Sequence, residues 1–125
     1  MNCKVTIYGS TDADAVFSDG ELKFYKNGFE LKYHIGDDRC SLAANGGTVT
    51  QSRRGDVNTD ITFSKGKNTV CMLLSGELTG SIPVQTNCLE VTADSRGAEV
   101  YIDYYLGGAR INLKLTAVIS AKETL

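Results

Sequence analysis

The sequence predicts an all-β chain: one antiparallel up-and-down barrel, calycin- or lipocalin-like, of about eight to ten strands. Three observations predict it. Turn residues recur about every eight to twelve positions, as in chains built of short strands. The runs between them alternate apolar and polar with period 2, and apolar residues at helical spacing are nearly absent. Thirteen Gly stand against one Pro, which fits many tight turns and long unbroken strands. Consecutive hairpins with one apolar face each close into a barrel and so remove their sheet edges. A two-sheet sandwich is the alternative.

The elements follow in order. Cys3, Val5 and Ile7 alternate with Lys4, Thr6 and Tyr8 in a first strand over residues 3–9. The stretch from Asp12 to Asp19 fits a loop, a bent strand or a short helical turn. Leu22 and Phe24, then Phe29, Leu31, Tyr33 and Ile35, alternate with polar residues on either side of Asn27-Gly28. Asn-Gly between such runs predicts a type I′ hairpin turn, which needs positive φ at both central residues. Gly36-Asp37-Asp38 closes that hairpin, Cys40 and Leu42 open a strand, and Asn45-Gly46-Gly47 turns it into Thr48–Arg54. Val57, Thr59, Ile61 and Phe63 form the next strand, and Val70–Leu74, apolar on both faces, is expected to be covered on both sides. Pro83 predicts an edge or a bulge, because proline cannot donate to a ladder. Runs through Leu89–Ala93, Val100–Leu106 and Ile111–Leu115 complete a meander. No boundary or repeat divides residues 1–125, which read as a single domain.

Bulk properties narrow the function classes. Hydrophobic residues at 42% and charged residues at 22% are ordinary for a globular domain. A net charge of −2 gives no electrostatic reason to expect nucleic acid. No apolar stretch is long enough for a membrane helix, and the start at Met1-Asn2-Cys3-Lys4 has no signal-peptide pattern, so a cytoplasmic location without membrane contact is expected. Cys3, Cys40, Cys71 and Cys88 lie in alternating segments without CxxC spacing, and there is a single histidine. They read as reduced, mostly buried thiols; no metal site or cofactor is expected.

The block Val49-Thr50-Gln51-Ser52-Arg53-Arg54-Gly55-Asp56-Val57, followed by Phe63 and Lys65-Gly66, resembles the YwiB-like family of small bacterial β-barrel proteins. Gly76-Glu77-Leu78, Val84-Gln85-Thr86 and Tyr104-Tyr105-Leu106 follow in the family's order, so the resemblance spans nearly the whole chain. It implies a calycin-like barrel in a family whose biochemical role is unassigned. Gln51 stands where an apolar residue is expected, so this barrel is more polar on that strand. The chain has no Trp, so the Gly-x-Trp signature of true lipocalins is absent.

Arg53 shares the parity of Val49 and is expected to point into or near the barrel interior. A guanidinium there needs an anion. Three readings stay open: an ion pair with Glu77, a bound carboxylate or phosphate, or exposure through a register slip at Gly55. With Arg53 as polar anchor, Tyr33, Tyr104 and Gln51 would line a site for a small, partly apolar or anionic ligand. Tyr25, Tyr101 and Tyr105 fall on the polar parity and are candidates for a protein interface or homodimer. His34 reads as a surface histidine, and Asp12-Asp14 and Asp37-Asp38 as solvated turn residues rather than a calcium loop. No positioned acid, base or nucleophile marks an enzyme. The sequence leaves two functions: a small-molecule-binding barrel, or a filled barrel that works as a structural or interaction module.

Overall fold

The structure is a computed structural model and describes residues 1–9 and 15–120. It contains ten strands: β1 (Asn2–Gly9), β2 (Val16–Tyr25), β3 (Gly28–Ile35), β4 (Asp38–Asn45), β5 (Thr48–Arg54), β6 (Asn58–Ser64), β7 (Asn68–Ser75), β8 (Leu78–Asp94), β9 (Gly97–Leu106) and β10 (Ala109–Ile119). Each pairs antiparallel with its sequence neighbour, and β1 pairs with β10 to close the barrel. No helix occurs among the described residues. The Asp12-Asp14 pair lies outside the described residues.

Period-2 alternation becomes an inner and an outer wall. One inner row runs directly across seven strands: Leu22, Leu31, Leu42, Gln51, Ile61, Cys71 and Ile82. Gln51 is its one polar member. A second row, nearer the opposite end, joins Phe29, Ala44, Val49 and Phe63. Leu22, Leu31, Leu42, Phe29, Val49 and Phe63 are all buried, each such side chain contributing about 1.5–3 kcal/mol by leaving water. Phe29 and Phe63 lie within the core, and Phe24 and Leu113 pack against it from partly buried positions.

Several turns differ from expectation. The β2–β3 loop is Lys26-Asn27, and Gly28 is already in β3 opposite Tyr25. Among the described residues no non-glycine residue has positive φ and Gly28 has none either, so the expected type I′ turn is not formed. Gly28 is required for another reason: a Cβ there would lie 1.7 Å from the Ala44 carbonyl oxygen. Four other two-residue loops instead place Gly36, Gly46, Gly76 and Gly107 first at φ near +60°, the pattern of type II′ turns, while the β8–β9 loop is Ser95-Arg96. Of the three readings open for residues 12–19, the strand holds from Val16, where β2 begins, to Asp19. The segments around Pro83 and Leu89 form one 17-residue strand, β8, with its irregularity between Thr86 and Cys88. Pro83 sits just past the end of the β8–β9 ladder, which begins at Val84–Leu106, so its missing N–H breaks no bond to β9.

Candidate functional site

The mouth of the barrel bounded by the β3–β4, β5–β6 and β7–β8 turns carries the polar cluster. The inner row there runs Tyr33, Cys40, Arg53, Thr59 and Leu73 across β3 to β7. Arg53 does share the inner parity, but its partner is Asp38, not Glu77: Arg53 Nε donates to Asp38 Oδ2 at 2.6 Å. Asp38 is two residues before Cys40, the register partner of Arg53, so it is a diagonal neighbour within reach on the same face. Glu77 sits exposed in the β7–β8 turn. Asp38 is therefore no free turn residue, and it opens β4 with its side chain only 27% exposed. Gly55 makes room for it, because a Cβ at residue 55 would lie 1.9 Å from Asp38 Oδ1. Val57, read with Thr59, Ile61 and Phe63 as part of one strand, instead lies exposed in the turn before β6.

Deeper in, Gln51 Nε2 donates to Tyr33 Oη at 2.9 Å. Burial pushes the Tyr33 phenol up to about 12, against the smaller lowering effect of the Gln51 hydrogen bond. Burial likewise raises the Cys40 thiol. Tyr104 packs edge-on against Phe63 with ring centroids 4.7 Å apart. Cys3, Cys40 and Cys71 are free and buried, and Cys88 is half-buried beside the β8 irregularity. Among the described residues no group of three His, Cys, Asp or Glu could hold a metal. No helix among them is long and apolar enough to cross a membrane.

The outer wall holds the tyrosines, as parity predicts, but not on one surface. Tyr25 lies on β2, with Lys23 Nζ 5.4 Å from its ring centre. Tyr101 and Tyr105 lie on β9, on either side of Asp103. Arg110 donates to that carboxylate through Nε at 3.1 Å and Nη2 at 2.9 Å, and this holds Asp103 below the usual carboxylate range. His34 is exposed on β3.

The feature the sequence reading missed is on β7. That strand was expected to be covered on both faces, yet Val70, Met72 and Leu74 point outward and are 46%, 53% and 43% exposed. Their cross-strand neighbours are Pro83, Ser81 and Thr79 on β8, and Met72 and Leu74 face Asp60 and Asn58 on β6. Asp60 is occupied by Ser52 Oγ at 2.7 Å and by Arg54 Nη2 at 2.8 Å. Leu78, opposite Ser75, shares the inner parity of Ile82 and lies exposed at the mouth rather than on the strip, while Tyr105, opposite Gln85, adjoins Pro83 at the strip's far end. Apolar residues at both parities were the signal, but only the barrel's closure shows that no described residue covers the outer one.

A closed ten-stranded antiparallel barrel with side chains filling its core, a salt-bridged mouth and an apolar strip outside is a calycin-like barrel. The chain belongs to the family described as domain of unknown function DUF1934, whose model matches residues 4–112. Its fold is similar to that of the ywiB protein from Bacillus subtilis, seen in a crystal structure, with a TM-score of 0.79 and 17% sequence identity over 96% of this chain and 91% of that one. No curated protein matches the sequence.

Proposed function

We propose that this protein is a non-enzymatic interaction module of the cytosol, a filled barrel that pairs with a second copy of itself through the outer face of β7 and β8. The observation that carries this reading is the strip Val70, Met72 and Leu74, about half exposed on one strand. A contiguous apolar patch on a soluble surface marks an interaction site more often than a lone apolar residue does. A closed barrel offers no free edge for strand addition, so a partner has to be met side chain to side chain. The charge next to the strip, Asp60, is already answered by Arg54, so the partner surface must be apolar and nearly uncharged. The same strip on a second molecule meets that requirement, and a two-fold axis closes the pair.

The alternative of a ligand inside the barrel has less support. Each residue expected to hold it already has a protein partner: Arg53 has Asp38, Tyr33 has Gln51, and Tyr104 has Phe63. Sedimentation velocity from low to high micromolar concentration tests the reading. The wild type is expected to reach a dimer, and Met72→Lys to stay monomeric with an unchanged circular dichroism spectrum. A wild type that is monomeric throughout overturns it.

A further inference from the structure

The wall splits between β2 and β3. Their ladder runs only from Tyr25–Gly28 to Glu21–Lys32. Beyond that point β2 continues along β1 as far as Ile7–Val16, while β3 continues along β4 as far as Ile35–Asp38. Where the ladder would go on, a side chain stands in: the His34 backbone N–H donates to Ser18 Oγ at 2.9 Å. A groove of about 690 Å³ occupies the split. Its lining includes Tyr33 and Cys40 from the inner face together with His34, Arg39 and Arg54 from the outer face, so it reaches into the wall from outside.

Charge in this groove is uneven. His34, Arg39 and Arg54 stand directly opposite one another on β3, β4 and β5. Directly opposed like charges destabilise a sheet unless a counter-charge joins them. Asp60 answers Arg54, its two carboxylate oxygens lying 2.8 and 3.1 Å from Arg54 Nη2. The Arg39 guanidinium has no ion pair or hydrogen bond among the described residues. The groove's two carboxylates lie on the β2 side, where Asp19 pairs with Lys4 and Glu21 is opposite Lys32. Among the described residues, the β3–β5 side is left with a cation that no carboxylate answers, beside the hydroxyl of Ser41.

We infer that this groove binds a phosphorylated small molecule. Its phosphate would sit on the fork of Arg39 beside His34, with Arg54 contributing only its Nε–H because Nη1 is held by the Arg53 and Thr59 carbonyls and Nη2 by Asp60, and its organic body would lie toward Tyr33 and Cys40. Guanidinium forks match phosphate oxygens two at a time, and the volume falls within the range of small-molecule sites. The site is distinct from the β7 strip and does not depend on it.

The test is an amide ¹H–¹⁵N titration of the full chain with phenyl phosphate at constant ionic strength, with inorganic phosphate in parallel. Saturable shifts are expected at His34, Arg39, Ser41 and Arg54, with phenyl phosphate the tighter of the two. Arg39→Gln is expected to weaken binding about tenfold, roughly 1.4 kcal/mol, while Lys23→Gln, also on the outer wall, changes nothing. The spectra themselves report whether each variant is folded. Absence of saturation, equal shifts in Arg39→Gln, or shifts spread over unrelated lysines overturns the site. Equal affinity for the two probes overturns the place given to the organic body.

Discussion

Asp38 accepts a hydrogen bond from Arg53 Nε at 2.6 Å, and its carboxylate occupies the space that a side chain at Gly55 would need. The β3–β4 and β5–β6 turns are thereby tied together at one mouth of the barrel. Arg53 is 43% exposed, so solvent screening keeps the pair's contribution modest. Arg53→Met and Gly55→Ala are each expected to lower stability by about 1–2 kcal/mol. The double variant should fall well short of the sum, because both changes act on the same carboxylate. Urea unfolding of the three variants measures this, and strict additivity would show that Gly55 does not hold the pair.

Two other glycines are set by backbone rather than by a side chain. A Cβ at Gly97 would lie 1.9 Å from the Ala117 carbonyl oxygen, and one at Gly28 would lie 1.7 Å from that of Ala44. Neither oxygen can rotate away. Gly97→Ala and Gly28→Ala are each expected to cost more than about 3 kcal/mol, while Gly80→Ala, with nothing within 4 Å, stays within about 0.5 kcal/mol of wild type. Thermal unfolding of the three variants decides it, and a mild loss at Gly97 would mean that β9 and β10 can move apart there.

These glycines mark where the sequence was legible and where it was not. Alternation alone placed Leu22, Leu31, Val49 and Phe63 inside and Tyr25, Tyr101 and Tyr105 outside, because period 2 is a property of each strand by itself. Gly28 looked like a turn residue because Asn-Gly is a local signal, whereas its close approach to Ala44 depends on the register of β3 against β4. Asp38 was missed as the partner of Arg53 for the same reason. Counting parity along the chain pointed to Glu77, but ion pairs follow cross-strand diagonals, which only the register defines. The exposure of Met72 belongs to the closed barrel, since no single strand records what lies beyond its outer face.

Acid sensitivity should centre on the outer wall. The Arg110 hydrogen bonds hold the Asp103 carboxyl below its usual range, and the Ser52 hydroxyl, then Arg54, do the same for Asp60. A carboxylate depressed on folding stabilises above its unfolded pKa of about 3.9, and that stabilisation is lost as pH falls through the folded value. Asp103→Asn is therefore expected to be less stable than wild type at pH 7 and to lose less on acidification. Melting temperatures measured from neutral pH down to about pH 2 test this. Parallel curves would show that the Arg110 contact adds no stability.

At the alkaline end the sign reverses. Burial raises the Tyr33 phenol from 10.0 to about 12, so the unfolded chain releases this proton first. The stability tied to the neutral phenol is fully present below pH 10 and is lost as pH rises toward 12. Across that window the loss is about 2–3 kcal/mol. Tyr33→Phe cannot ionise, but it leaves Gln51 Nε2 without its acceptor, at a cost of about 1 kcal/mol at neutral pH. The variant should therefore start less stable and fall less steeply, and the two stability curves should converge and cross as pH rises. Cys3, Cys40 and Cys71 are also raised by burial, and they keep a residual alkaline slope in both proteins. Urea midpoints taken at intervals from neutral to strongly alkaline pH, with reductant present, give both slopes. Curves that stay parallel would mean that Tyr33 titrates alike in the folded and unfolded chain and that the Tyr33–Gln51 pair is open to water.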